Sequence, residues 1–94
     1  MRKGKRKLTI PDLAASKKAG EKLVMVGVGE AMSAAWAEQA GVDIIGVGDS
    51  LGMTLHGHKN TLEITVDQMI DHARAVRRGA TQTFTIASMP YGSY

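Results

Sequence analysis

Short apolar runs alternate along the chain with longer segments whose apolar residues recur at helical spacing. The largely apolar runs cover residues 23–28, 42–47 and 83–87. Continuous runs of this length between turn residues are typical of strands that are buried on both faces, as in a parallel sheet. The pattern therefore predicts three parallel strands.

The segments between and before these runs carry helix signals. We predict helices over residues 13–18, 30–40 and 65–78. Glycines at positions 20, 41 and 79 mark their C-terminal ends. Thr65 and Gln68 have the spacing of a capping box, and residues 48–64 are predicted to form a loop. The predicted buried stripes are Met32, Ala35, Trp36, Gln39 and Ala40 in the second helix, and Met69, Ile70, Ala73, Val76 and Arg77 in the third.

The resulting order is βαβαβ, with one helix in front. Two α/β architectures use this order, a doubly wound sheet and a (β/α)8 barrel. Three strands complete neither, since a barrel needs eight strands and typically about 250 residues. The chain has 94 residues, enough for one domain, and its third strand has an unpaired apolar edge. We therefore expect a truncated α/β fold.

The composition is that of a globular protein and narrows the chemistry. The chain is 44% apolar and 22% charged, and it has no cysteine. A disulfide framework, a thiolate metal site and a cysteine nucleophile are thus excluded, and a reducing, cytoplasmic location is expected. No stretch approaches the roughly 20 apolar residues of a membrane span, so no membrane partner is expected.

The positive charge is concentrated at the start of the chain. Five of the twelve Lys and Arg residues lie within residues 2–7, and the other seven stand against nine Asp and Glu residues. Because no aromatic residues interleave with the basic ones, the stacking part of a nucleic-acid site is missing. We interpret residues 1–8 as a basic, disordered tail and expect no nucleic-acid partner.

Polar residues follow each predicted strand at its carboxyl end, where parallel α/β folds place their functional groups. These residues are Glu30, Asp49, Ser50 and Ser88. A carboxylate with neighbouring hydroxyls suits Mg²⁺, which prefers oxygen ligands. Asp49 and Ser50 also suit a turn or a helix cap, and their position alone favours neither role.

Other motifs carry weaker signals. The Gly-rich spans 27–32 and 46–52 lack the G-x-G-x-x-G spacing, so no nicotinamide or flavin cofactor is expected. His56 and His58 form an H-x-H pair without a third zinc ligand nearby in sequence; His58 suits a loop anchor and His72 a surface or helix-packing position. Trp36 and the six methionines are expected to fill the core.

Several blocks together resemble the 3-methyl-2-oxobutanoate (ketopantoate) hydroxymethyltransferase family, from about Thr9 onward. The blocks are Val-Gly-Asp-Ser-Leu-Gly-Met (47–53), Gly-His (57–58), Thr-Leu (61–62), Thr-Val (65–66), Arg-Arg-Gly-Ala (77–80) and Met-Pro-Tyr-Gly-Ser-Tyr (89–94). The resemblance implies a homo-oligomeric (β/α)8 TIM barrel enzyme of roughly three times this length. Residues 9–94 would supply its N-terminal portion, with about three of its eight strands.

The resemblance also implies a reaction and its residues. The family transfers a hydroxymethyl group from 5,10-methylenetetrahydrofolate to the 2-oxo acid 3-methyl-2-oxobutanoate, giving ketopantoate for pantothenate biosynthesis. Mg²⁺ holds the oxo acid and stabilises its enolate. Asp49 matches the family's first metal-binding Asp, and Ser50 a contact to the substrate carboxylate. Ser88 occupies the position of the second metal-binding Asp, and the general base would lie beyond Tyr94.

Two alternative interpretations remain open at the level of sequence. Enzymes of the phosphoenolpyruvate mutase and isocitrate lyase group share the barrel and a Mg²⁺-bound oxo acid, and the departures at residues 27–30 and at Ser88 are compatible with them. The other alternative is an inactive barrel fragment that acts only through protein contacts, which the change at Ser88 and the short chain favour.

Overall fold

The three predicted strands pair in one parallel sheet, in the order β1-β2-β3. The computed structural model of the chain describes residues 7–94. Strand β1 is Met25–Gly27, β2 is Ile44–Val47 and β3 is Phe84–Ala87. Both pairs are parallel and in register, with Ile45 between Val26 and Thr85. The predicted α/β class and βαβαβ order are therefore confirmed.

Four helices precede or connect these strands. They are α1 (Ile10–Ala19), α2 (Ala31–Ala40), α3 (Leu51–Thr54) and α4 (Val66–Gly79). Helices α1, α2 and α4 lie where the sequence predicts them. Helix α3 lies inside the predicted loop 48–64, so that part of the prediction is wrong. A single helical turn is too short to show a repeat in its sequence, and α3 buries Leu51 in the core cluster.

The helix ends follow the predicted local chemistry. The Thr65 hydroxyl accepts a hydrogen bond from the Gln68 backbone N–H at 3.1 Å, and the Gln68 side chain accepts one from the Thr65 N–H at 2.9 Å. The predicted capping box is thus confirmed. Gly20 and Gly41 end α1 and α2 with φ angles of 74° and 85°, in the left-handed region where glycine carries no Cβ penalty.

The core lies between the sheet and the helix layer formed by α2 and α4. Helix α4 packs against α2, β2 and β3. Ile45 and Val47 of β2 are 0% and 1% exposed beneath this layer. The whole buried cluster contains Ala34, Ile45, Val47, Leu51, Ile64, Met69, Val76 and Ala80. Because the helices that pack on the sheet do so through this one cluster, they fix which face of each strand is buried.

Helix α2 buries a different face from the predicted one. Met32 and Trp36 are each 61% exposed, whereas Ala34 is fully buried. The cause is the close crossing of α2 and α4, where a Cβ on Gly79 would lie 2.1 Å from the Ala31 carbonyl oxygen. Backbones at this distance leave room for alanines between the helices but not for Met or Trp side chains.

The expectation that the methionines and Trp36 fill the core is also wrong for most of them. Met25, Met32, Met53 and Met89 are between 44% and 61% exposed, and Met69 alone among the methionines of residues 7–94 is buried. The predicted stripe of α4 is right for Met69 and Val76, but Ile70 is 40% exposed and Arg77 is also exposed. Hydrophobicity alone does not identify the buried face of a helix whose partner is close.

The predicted tail falls mostly outside the part of the chain that the structure describes. Of its last two residues, Lys7 is exposed and Leu8 is 7% exposed. Within residues 7–94, no helix has the length and apolar character that crossing a membrane requires.

Candidate functional site

The carboxyl ends of β1, β2 and β3 lie side by side, as the parallel pairing requires. The ladder continues past the strands, since the Val28 N–H donates to the Gly46 carbonyl at 3.1 Å and the Ser88 N–H donates to the Val47 carbonyl at 2.9 Å. The segments after the three strands therefore leave the sheet at one edge. This is the edge where the sequence places its candidate residues.

A cavity of about 210 Å³ opens at this edge. Its lining includes both predicted serines together with small and apolar residues, namely Met25, Gly27, Gly46, Ser50, Ile86 and Ser88. Met25 extends over Gly46, where an added Cβ would lie 2.5 Å from the Met25 Cε atom. The cavity thus combines an apolar wall, a floor of glycine backbone and two hydroxyl groups.

Asp49 lies between Gly48 and Ser50, which both line the cavity, but it is not itself among the lining residues. The residue is half-buried. Its backbone carbonyl accepts from the Gly52 N–H at 3.0 Å, as a turn at this point requires. Its carboxylate makes no hydrogen bond or ion pair with any residue of the described chain, so its charge is not used by a cap.

Ser50 stands at the start of α3 but does not cap it through its side chain. No hydrogen bond from its hydroxyl to the helix backbone is present, whereas its carbonyl accepts from the Met53 and Thr54 N–H groups at 2.9 and 3.0 Å. The alternative function of Asp49 and Ser50 as a cap pair is therefore not what their side chains do. Ser50 and Ser88 are both exposed, and both line the cavity.

Glu30, the acid after β1, has a structural function instead. Its carboxylate accepts from the Ser33 backbone N–H at 2.6 Å and caps α2. The hydrogen bonds from Ser33 hold the pKa of the Glu30 carboxyl below its ordinary value of 4.5, against a small opposing effect of burial. Its capping interaction turns Glu30 toward its own helix.

The oxygen donors at this edge fit Mg²⁺ as a site with a single carboxylate. No group of three His, Cys, Asp or Glu side chains in residues 7–94 could enclose a metal ion. Mg²⁺ commonly binds proteins through only one or two carboxylates and keeps water or substrate in its other positions. Asp49, whose carboxylate has no partner among residues 7–94, and its sequence neighbour Ser50 carry the ligand types that such a site uses.

Three histidines meet next to this edge, and the sequence did not predict their association. The Nε2 atoms of His56 and His72 are 2.9 Å apart, and His72 Nδ1 is 2.7 Å from the Gly29 carbonyl oxygen. His58 binds Glu63 instead, with 2.7 Å between Nδ1 and Oε2, as expected of a loop anchor. The signal for His72 is its spacing, since it lies three residues after buried Met69 on the inner stripe of α4.

Comparison with known proteins identifies relatives over nearly all of this chain. A family model described as ketopantoate hydroxymethyltransferase matches residues 7–94. The 3-methyl-2-oxobutanoate hydroxymethyltransferase 1 of Methylibium petroleiphilum is 54% identical over 90 residues, which are 96% of this chain and 31% of the relative.

Two further relatives are also named 3-methyl-2-oxobutanoate hydroxymethyltransferase. 3-methyl-2-oxobutanoate hydroxymethyltransferase of Geobacillus kaustophilus is 56% identical over 78 residues, covering 83% of this chain and 28% of the relative. The enzyme of Lysinibacillus sphaericus is 51% identical over 86 residues, which are 92% of this chain and 31% of the relative. The chain thus spans 28–31% of the length of these three relatives.

Proposed function

Because the chain belongs to the ketopantoate hydroxymethyltransferase family, we propose that the protein carrying it transfers a hydroxymethyl group to 3-methyl-2-oxobutanoate. The product is ketopantoate, a precursor in pantothenate biosynthesis. The observation that carries this proposal is the match over residues 7–94, together with a cavity that Ser50 and Ser88 line, with Asp49 next to Ser50 in the chain.

The cavity suits a small branched oxo acid. Met25 and Ile86 offer apolar surface to its isopropyl group. The Ser50 and Ser88 hydroxyls can donate hydrogen bonds to its carboxylate, and the absence of side chains at Gly27 and Gly48 lets the acid approach the backbone closely. These residues bind and orient the substrate, which lowers the entropy cost of the reaction.

The proposed metal is Mg²⁺, with Asp49 as its carboxylate ligand and Ser88 as a neutral oxygen ligand. When bound, the ion acts as a Lewis acid toward the keto group of the substrate. Asp49 contributes the negative charge that retains the ion, and the Ser88 hydroxyl contributes none. We therefore propose a site whose affinity for Mg²⁺ depends mainly on Asp49.

The proposed one-carbon donor is 5,10-methylenetetrahydrofolate. A general base removes the proton from the carbon next to the keto group, and that carbon forms a bond to the methylene unit of the folate. Water supplies the hydroxyl group of the product as tetrahydrofolate leaves. The base is proposed to lie in sequence beyond Tyr94, as the family resemblance implies. The acids at this edge of the described chain have other functions, since Glu30 caps α2 and Asp49 is the proposed metal ligand.

The rest of the protein is proposed to close the sheet into a (β/α)8 barrel. The chain covers 28–31% of its relatives and contains three parallel strands with the connections expected of a barrel. The apolar side chains of Met25 and Ile86, 55% and 44% exposed on the open face of the sheet, would then line the barrel interior. We further propose a cytoplasmic homo-oligomer.

The direct test is an assay of the full-length protein with ¹³C-labelled methylenetetrahydrofolate. We expect labelled ketopantoate to form when 3-methyl-2-oxobutanoate, the folate and Mg²⁺ are all present, and none when the oxo acid is omitted. Product should fall when Mg²⁺ is removed with a chelator and return when it is added back. A folded protein that makes no labelled ketopantoate with all three components contradicts the proposal.

A further inference from the structure

His56, His72 and the Gly29 carbonyl form one chain of hydrogen bonds beside the cavity edge. His72 lies in α4, His56 follows α3, and Gly29 belongs to the segment after β1. The two Nε2 atoms are 2.9 Å apart, and His72 Nδ1 is 2.7 Å from the Gly29 oxygen. Three segments distant in sequence are thus joined through one imidazole, that of His72.

The direction of these bonds follows from the groups involved. A carbonyl oxygen only accepts, so His72 Nδ1 must carry the hydrogen. The neutral His72 ring then presents a lone pair at Nε2, and His56 must donate its Nε2–H to it. The chain therefore runs from His56 to His72 to Gly29, with each nitrogen in a defined state.

The hydrogen bonds from His56 to His72 to Gly29 hold together the two segments that flank the cavity edge. The backbone N–H of His56 donates to the Leu51 carbonyl at 3.1 Å, and Leu51 directly follows Ser50. Leu51 also packs on the segment after β1, since a Cβ on Gly29 would lie 2.6 Å from its Cδ2 atom. Moving His72 would therefore remove one hydrogen-bonded link between the Gly29 segment and the turn that carries Ser50 and Asp49.

Few titratable groups of the described chain face the pair. The His58 ring lies parallel to that of His56, with 6.1 Å between centroids and 5° between planes. Glu63 is bound to His58 Nδ1 at 2.7 Å. Glu30, next to Gly29, is turned to the Ser33 N–H. The nearest charged neighbours of the two imidazoles among these groups are thus His58 and Glu63, on the side of His56.

We propose that His72 is a positioning residue for the candidate site, and that it works with His56 only while the two rings share at most one positive charge. A single added proton fits on His56 Nδ1, the one ring nitrogen outside these hydrogen bonds, and leaves the His56 Nε2–H to His72 bond in place, now charge-assisted. A second proton, on His72 Nε2, sets two N–H groups against each other and breaks the link. The proposal rests on the proposed function for its kinetic readout only.

The kinetic test uses the full-length enzyme between about pH 5 and 8, the range in which imidazoles change charge. For the wild type, we expect KM for 3-methyl-2-oxobutanoate to rise toward acid pH. His72→Ala should raise KM at pH 8 by about tenfold or more, as removal of residues that orient a site commonly does, and kcat should change less. His72→Ala with an unchanged KM at pH 8 would overturn the proposal.

Two further variants separate positioning from simple structural support. His56→Gln should keep the wild-type KM at pH 8 and lose the rise at acid pH, because an amide can donate to neutral His72 or accept from its protonated form. The matched control His58→Gln lies outside the chain of bonds and should keep the acid rise. An acid rise in His56→Gln as large as in the wild type would contradict the shared-charge model.

An independent readout does not need activity. Long-range ¹H–¹⁵N NMR at pH 8 should show hydrogen on Nδ1 of His72 and on Nε2 of His56. These tautomers without any ketopantoate formation would overturn the proposed function but not the histidine link. The opposite tautomer at His72 would overturn the link even in an active enzyme. Because the spectrum is that of the wild type, this test remains available if His72→Ala fails to fold.

Discussion

Asp49 is the residue on which the proposed chemistry depends, and its charge has no partner within residues 7–94. Carboxylates at turns usually accept backbone hydrogen bonds, whereas this one leaves its oxygens unused. The nearby Glu30 shows the contrast, because its carboxylate is occupied at 2.6 Å by the Ser33 N–H. A half-buried acid without a partner fits a residue that holds a cation.

Ser88 sets the strength of the proposed metal site. A hydroxyl ligates Mg²⁺ but adds no negative charge, so replacing it by a carboxylate should strengthen binding. We expect Ser88→Asp to tighten Mg²⁺ binding by about tenfold, equal to about 1.4 kcal/mol, in titration calorimetry of the full-length protein. Ser93→Asp is a matched control and should leave the affinity unchanged. An unchanged affinity in Ser88→Asp would show that Ser88 is not near the ion.

Glu30 gives a pH-dependent contribution to stability. Since the folded pKa of its carboxyl is lowered from the ordinary 4.5, the α2 cap stabilises the fold above that value and is lost as pH falls through the lowered pKa. We expect Glu30→Ala to lower the melting temperature by a few degrees at neutral pH. The difference from the wild type should vanish well below pH 4.5, and a difference that persists undiminished there would be evidence against the cap.

At the scale of elements, the crossing of α2 and α4 is the tightest contact of the helix layer. Gly79 passes the Ala31 carbonyl so closely that a Cβ would lie 2.1 Å from its oxygen. This crossing explains why α2 turns its alanines inward and leaves Met32 and Trp36 outside. Gly79 in the last turn of α4 therefore sets how closely the two helices pack, while the C-cap of α4 is Ala80.

Gly79→Ala tests this crossing. Forcing a methyl group into it should lower the free energy of unfolding by about 1–3 kcal/mol, the usual cost of overpacking. Chemical denaturation of the full-length protein measures the effect. The neighbouring Arg78→Ala, at an exposed position of the same helix turn, is the control and should change stability little. Equal stabilities for the two variants would contradict the close crossing.

Sequence pattern predicted most of the elements because their signals are local. Apolar runs identified the three strands, and the Thr65–Gln68 box marked the start of α4 within one residue. Helix α3 and the buried face of α2 were missed, since both depend on contacts with distant residues. The cavity edge was predictable from strand order, but the link between His56 and His72 joins residues 16 apart through tertiary packing.

The site was predicted less completely than the fold. Their position after the predicted strands identified Asp49, Ser50 and Ser88 as candidate site residues, and the structure brings Ser50 and Ser88 to one cavity. It also shows that Asp49 is not used as a cap, which its position in the sequence had left open. Whether an acid after a strand caps a helix, as Glu30 does, depends on the backbone direction of the following residues, and local composition does not determine that direction.

At the scale of the whole molecule, the sheet buries Ile45 and Val47 under the helix layer on one face and exposes Met25 and Ile86 on the other. Exposed apolar side chains on one face of a sheet mark a surface that another part of a protein covers. In the proposed barrel that surface faces inward, and the strands that complete it belong to the rest of the protein.

Oxidation of Met25 tests this arrangement in the full-length protein. Oxidation of methionine depends on its exposure, and a closed barrel would cover Met25. We therefore expect peroxide to oxidise Met25 about tenfold more slowly in the folded protein than in the same protein unfolded in urea. Mass spectrometry of peptides measures the rates, with a peptide of the same protein that contains no methionine as the internal standard. Equal rates for Met25 in the two states would argue against a closed barrel.

The central claim is that Asp49 holds the cation that binds the oxo acid, and calorimetry of the full-length protein tests it most directly. We expect Mg²⁺-dependent binding of 3-methyl-2-oxobutanoate to weaken by about 100-fold in Asp49→Asn, since the site loses its one carboxylate. Asp71→Asn, an exposed acid of α4, should bind as the wild type does. Unchanged Mg²⁺-dependent binding in Asp49→Asn would contradict the account.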